Sequence, residues 1–124
     1  MMAILQSEVG TQFNAGVAEV EAAVRALDGR ARSLLQVEVP SGRILTVGGG
    51  PNRFVAEVAE SERERWAVVD PSATDDPCEL VVGGSVVDYP ARLCVDLGAV
   101  LAAATTFVND NGGRHPALVW SQET

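Results

Sequence analysis

Between residues 33 and 82 this chain places short runs of alternating apolar and polar residues so close together that an antiparallel sheet is the expected outcome. Leu35, Val37 and Val39 alternate with Gln36 and Glu38, Pro40-Ser41-Gly42 reads as a turn, and residues 44–47 run back. Gly48-Gly49-Gly50-Pro51-Asn52 reads as a second turn, after which Phe54, Ala56 and Val58 alternate with Val55, Glu57 and Ala59. Runs at 66–69 and 78–82 follow, separated by the polar loop 70–77. A period of two sends successive side chains to opposite faces, and no intervening segment is long enough for a crossover helix. A meander is expected, and a parallel sheet is not.

The flanks change period. Residues 3–9 read as a short strand. Val17, Val20, Val24 and Leu27 recur at helical spacing, with Asn14 as the expected N-cap and Asp28-Gly29 as the stop, which places a first helix at 15–28. Gly83-Gly84 breaks the sheet pattern, and residues 93–95 read as a strand. Asp96 is a good N-cap for a second helix carrying Leu97, Val100, Leu101, Ala104, Phe107 and Val108 on one side and ending at Asn111-Gly112-Gly113. Residues 117–121 read as a last strand. The expected fold class is α+β: an antiparallel β-meander sheet of about six strands with two α-helices packed on one face. It forms one domain over residues 1–124, and a hydrophobic fraction of 47% is enough for its core without disulfides or a structural metal.

Charge narrows the partners. Seventeen acidic residues against nine basic ones, all of them arginine, leave a formal charge of −8. Such a field repels nucleic acid and anionic membrane surfaces, which need clustered cations. It draws a basic protein and speeds the encounter, although solubility alone also explains an acidic chain. No run approaches the ~18–20 apolar residues that cross a bilayer. The first ten residues lack a basic start followed by an apolar stretch, so no secretory signal is expected and the expected location is cytoplasmic.

No set of residues assembles a reaction. The triple glycine lacks the helix and lysine of a phosphate loop and reads as a hairpin turn. His115 is the one imidazole, between Arg114 and Pro116, and reads as a surface loop residue. Ser85 lies in no Gly-x-Ser-x-Gly elbow and reads as a hairpin residue. Cys78 and Cys94, sixteen positions apart, lack the paired spacing of a zinc site and read as two buried free thiols. No catalytic residue, metal ligand or cofactor is expected.

The acidic side chains are the candidate binding residues. Glu57, Glu60, Glu62 and Glu64 cluster near one strand end, and Asp70, Asp75, Asp76 and Glu79 surround the next loop. The two groups are expected to merge into one negative patch, either a partner surface or a solvated exterior, with Arg63 and Arg65 interrupting it. Asp75-Asp76 lacks calcium-loop spacing. Among the aromatics, Trp66 reads as core, while Tyr89 and Trp120 are candidate interface anchors.

Tyr89-Pro90, the Val95-Asp96-Leu97 opening of the second helix, its alanine-rich face through Phe107, and Gly113-Arg114-x-Pro116-x-x-x-Trp120 together resemble the C-terminal signature of bacterial Imm-type immunity proteins. The Leu45-Thr46-Val47-Gly48 hairpin is similar too, so the resemblance spans most of residues 33–121, while the triple glycine and the stretch 60–64 depart from the pattern. Proteins of this type are encoded beside polymorphic toxins, often deaminases. The resemblance implies an α+β fold, no catalysis, and tight binding to a cognate toxin whose active site is covered. Two other classes stay open: a small enzyme or ligand-binding domain with a pocket holding His115 and Tyr89, and a module that pairs through a sheet edge, giving a homodimer of the unbound chain.

Overall fold

A computed structural model describes residues 3–123. Strands β1 (Ala3–Ser7) and β2 (Gly10–Ala15) precede helix α1 (Val17–Arg25). Next come β3 (Leu34–Glu38), β4 (Ile44–Gly49), β5 (Phe54–Ala59) and β6 (Arg65–Val69), the expected meander. A separate hairpin of β7 (Pro77–Val82) and β8 (Ser85–Pro90) follows, then a 3-10 turn (Ala91–Leu93), helix α2 (Leu97–Asn109) and β9 (Val119–Glu123). The large sheet has seven strands in the order β2-β1-β3-β4-β5-β6-β9, and every neighbouring pair is antiparallel. The fold is α+β as expected, and both helices lie against one face of the sheet.

Alternation decides which side is buried. Leu35, Val37, Leu45, Val47, Phe54, Ala56, Val58 and Val68 point inward, where they meet Val20 and Val24 of α1 and Val100, Ala104, Phe107 and Val108 of α2. Fully burying a Val, Leu or Phe contributes about 1.5–3 kcal/mol, so this face holds the domain together. Asp96 caps α2 as expected, its carboxylate accepting a 2.9 Å hydrogen bond from the Ala99 amide.

Several expectations need correction. Helix α1 is shorter than 15–28, and its N-cap is Gly16. Asn14 instead lies in β2 with a φ of 58°. β2 itself was not anticipated, because an exposed edge strand needs no apolar alternation. Gly83-Gly84 does not end the sheet pattern; it is the two-residue turn of the β7–β8 hairpin, with Ser85 starting β8 as a hairpin residue. Residues 93–95 form no strand, although Val95 exchanges two backbone hydrogen bonds with Phe54. The last strand begins two residues later than expected, after a turn at 116–117.

The triple glycine does more than turn the chain. Gly48 and Gly49 belong to β4, and the turn runs from Gly50, whose amide donates to Arg53 O at 2.8 Å. A Cβ on Gly48 would stand 2.7 Å from Val82 Cγ1, so the bare backbone there is what lets the β7–β8 hairpin settle on the sheet. Gly50 has a φ of 100° and lies against the Leu27 carbonyl at the end of α1. The run therefore seats the end of a helix and a hairpin.

A second tie comes from Ser33, which is fully buried. Its amide and hydroxyl both donate to Glu8, the Leu34 amide donates to the same carboxylate, and the hydroxyl accepts from Gly84 N at 2.9 Å. The β1–β2 turn, the start of β3 and the tip of the β7–β8 hairpin are thereby joined.

Candidate functional site

The sheet face away from the helices is only partly covered. Pairing register runs one row of outward side chains across it: Gln36 opposite Thr46, Thr46 opposite Glu57, and Glu57 opposite Ala67. A second row sets Ala59 beside Arg65 and Arg65 beside Glu123. Within these rows Gln36 Nε2 donates to Thr46 Oγ1 at 3.2 Å, and Arg65 Nη1 pairs with Glu57 Oε1 at 3.3 Å.

The hairpin walls this floor. Cys78, Leu80 and Val82 of β7 share a face with their β8 partners Tyr89, Val87 and Ser85, and Val82 rests on Gly48. Between wall and floor lies a cleft of about 250 Å³ whose lining includes Gln36, Thr46, Glu57, Arg65, Tyr89 and Glu123. Burial raises the Tyr89 phenol above its ordinary value, with the nearby Cys94 thiol and Glu57 carboxylate adding to the effect. It is therefore a neutral hydroxyl at physiological pH.

Cys94 is buried and Cys78 half-buried, and both are free thiols. Burial, hydrogen bonding to Cys78 and the proximity of that thiol push Cys94 up to about 12. Such a thiol is chemically quiet, since the thiolate is the reactive form.

The other face of the hairpin is exposed. Glu79 and Asp88 stand directly opposite each other across β7 and β8, and the neighbouring Val81–Val86 pair leaves Val86 64% exposed. Like charges facing across strands destabilise a hairpin. This pair is a stability cost on the outer surface.

The remaining acidic candidates divide between two ends of the sheet. Glu62 and Glu64 are exposed on the β5–β6 turn. Asp70, Asp75 and Asp76 lie in the β6–β7 loop, at the far end of a strand that spans roughly 17 Å at ~3.3 Å per residue. Asp70 accepts hydrogen bonds from the Ser72 hydroxyl and amide, which lower its carboxyl below the usual range. Asp75 pairs with Arg92 at 2.8 Å, and Asp76 accepts from the Thr74 hydroxyl.

Glu60 and Trp120 belong to a third place, on the helix side. Arg114 Nε donates to Glu60 Oε2 at 3.1 Å, and its guanidinium lies over the Trp66 ring and 6.0 Å from the Trp120 ring centroid. Trp120 Nε1 donates to His115 O at 3.0 Å, and His115 Nδ1 accepts from Ala117 N. The Gly113-Arg114-x-Pro116-x-x-x-Trp120 motif is therefore an assembled packing cluster, with Trp66 half-buried beneath it. His115 and Tyr89 lie on opposite sides of the sheet, so the pocket that would have joined them does not form.

Glu123 and Asp88 were not singled out from sequence, and Arg65 was marked only as interrupting the acidic run. For Asp88, the alternation of β7 and β8 around Gly83-Gly84 was the available signal. For Arg65 and Glu123 there was none short of knowing that β9 pairs with β6. Among the described residues no three His, Cys, Asp or Glu side chains gather as metal ligands, and no helix is long and apolar enough to cross a membrane. A family model described as Immunity protein Imm1 matches residues 13–122, from within β2 to within β9. No curated protein matches the chain.

Proposed function

The chain belongs to the Imm1 family of immunity proteins, and from that premise we propose how it neutralises its cognate toxin: by non-catalytic binding of an acidic surface to a basic one. Toxin neutralisation is the family's role, and a cognate toxin is its partner. The finer reading is that the toxin acts on nucleic acid, as a deaminase would, and that this protein covers its cationic active-site surface. A protein that grips nucleic acid carries clustered cations, and a domain with a net charge of −8 is steered onto them. Residues on the open side of the sheet serve as contacts: Glu57 and Tyr89 in the cleft, Glu79 with Asp88 on the hairpin, and Glu62 and Glu64 at the β5–β6 turn. Asp70, Asp75 and Asp76 extend the negative field at the far end of β6. The protein works in the cytoplasm, where such a toxin meets its substrate, and it engages neither nucleic acid nor membrane.

One observation carries this reading, the Glu79–Asp88 pair. Two carboxylates face each other across an exposed hairpin at a cost in stability that a cationic partner relieves. The test is co-expression with the toxin encoded in the neighbouring reading frame. Growth should be rescued, and association of the purified pair should slow as salt is added. Absence of a toxin gene from the neighbourhood, or salt-independent association, would count against it.

The unpaired edge of β2 supports a second reading. It is uncharged across Gly10–Ala15 and leaves Phe13 68% exposed, so a second copy can add there strand to strand. Light scattering at high concentration tests this homodimer of the free protein, and a strict monomer removes it.

A further inference from the structure

Resting on the toxin-neutralising reading, we propose that the cleft between the β7–β8 hairpin and the open sheet face receives one arginine side chain of the partner. Its charged lining is two carboxylates, Glu57 and Glu123, against the single guanidinium of Arg65, leaving one net negative charge. A second guanidinium brings that balance to zero, whereas an anion meets net repulsion, and Val55, Ala67, Val82 and Leu93 in the same lining suit the methylene stem that carries it. Arg65 occupies Oε1 of Glu57, and among the described residues no hydrogen bond reaches Oε2. Gln36 spends an amide hydrogen on Thr46, which leaves its amide oxygen as a further acceptor. Tyr89 supplies an aromatic wall, and a planar guanidinium stacks on such a ring while its edge pairs with carboxylates.

The chain itself holds an arginine in this way on the opposite side of the sheet. Arg114 is fixed there between the Trp66 ring and the Glu60 carboxylate. The cleft repeats that pair of partners, ring and carboxylate, with an opening to solvent. At about 250 Å³ it is smaller than the ~300–1,000 Å³ of typical small-molecule sites, a size suited to one side chain.

The probe is N-acetyl-arginine methylamide, with the uncharged citrulline analogue as control, followed by amide chemical shifts of the purified protein. The arginine compound should produce saturable shifts at Thr46, Glu57 and Tyr89 with an affinity of about 1 mM, as befits one side chain, and the citrulline compound should not. Glu123→Gln and Glu57→Gln should each weaken binding roughly threefold to tenfold. Arg65→Gln should strengthen it, because a resident cation is removed. Equal response to citrulline, weaker binding in Arg65→Gln, or shifts confined to the loops at 60–64 and 70–76 each overturn the proposal. Rescue from the toxin without any cleft response sinks the cleft assignment and leaves neutralisation standing, and a cleft response without rescue does the reverse.

Discussion

The Arg114 guanidinium sits 4.0 Å from the centroid of the Trp66 ring, so a residue of the α2–β9 connection is clamped onto the second residue of β6. Glu60 holds the other edge of that guanidinium at 3.1 Å, with its side chain only 17% exposed. A residue at each end of the β5–β6 turn and a residue 54 positions from Glu60 thus share one contact.

Arg114→Ala should destabilise the fold by about 1–3 kcal/mol, from the lost stacking and the half-buried Glu60 carboxylate left unpaired. Arg114→Lys keeps the charge without the planar fork and should recover less than half of that loss. Urea unfolding of the purified variants measures both. Toxin affinity of the folded variants should be unchanged, because the cluster is on the helix side.

Stability should fall in acid partly through Glu8. Its burial opposes ionisation, but hydrogen bonds from the Ser33 amide, the Leu34 amide and the Ser33 hydroxyl prevail and lower its carboxyl below the ordinary 4.5. A depressed folded value means the contribution is complete above the unfolded value and disappears as pH falls through the folded one. Glu8→Gln should therefore flatten the stability profile below about pH 4.5 and lower it at neutral pH. Ser33→Ala should cost about 1–3 kcal/mol, since it also strips the Gly84 amide of its acceptor. Asp28 and Asp70, lowered by hydrogen bonds from Arg32 and Arg30 and from Ser72 respectively, keep part of the acid sensitivity in both variants.

Gly48→Ala should destabilise by about 1–3 kcal/mol through the clash with Val82. Trimming the neighbour should undo the damage, so Gly48→Ala with Val82→Ala should lose less than the sum of the two single variants. A double-mutant cycle in urea reads the coupling. Strict additivity would show that the hairpin is not seated on that glycine.

Charge reversal on the hairpin separates stability from binding. Glu79→Lys turns a repelling cross-strand pair into an attracting one and should raise stability by about 0.2–1 kcal/mol. The same change should slow toxin association and reduce its salt dependence. His115→Ala, on the opposite side of the sheet, should leave association unchanged. Stopped-flow mixing over a salt series makes the comparison, and equal effects at the two positions would contradict the acidic-surface reading.

The meander and α2 were legible in the sequence because period and caps are local: Leu35, Val37, Phe54, Ala56 and Val58 alternate, and Asp96 stands where an N-cap belongs. β2 was illegible because its neighbour β1 imposes its pairing and its own side chains are mostly exposed. The site is harder still. Glu57 and Tyr89 were marked as acid and aromatic, yet what places them together is the bare backbone of Gly48 under Val82. Glu60 looked equivalent to Glu62 and Glu64, and only the fold reveals that Arg114 has taken it. Arg65 and Glu123 meet although 58 positions of chain separate them, a relation that no window of sequence contains.

The seven-stranded sheet divides labour between its two sides. Packing residues, the capped helix and the arginine clamp crowd one of them, so substitutions there are judged by whether the molecule survives. On the reverse, the residues that seat the hairpin, Gly48 and Val82, are held to their size, while outward side chains such as Glu79 and Asp88 stand clear of the core and can be exchanged one at a time with the scaffold left as it is.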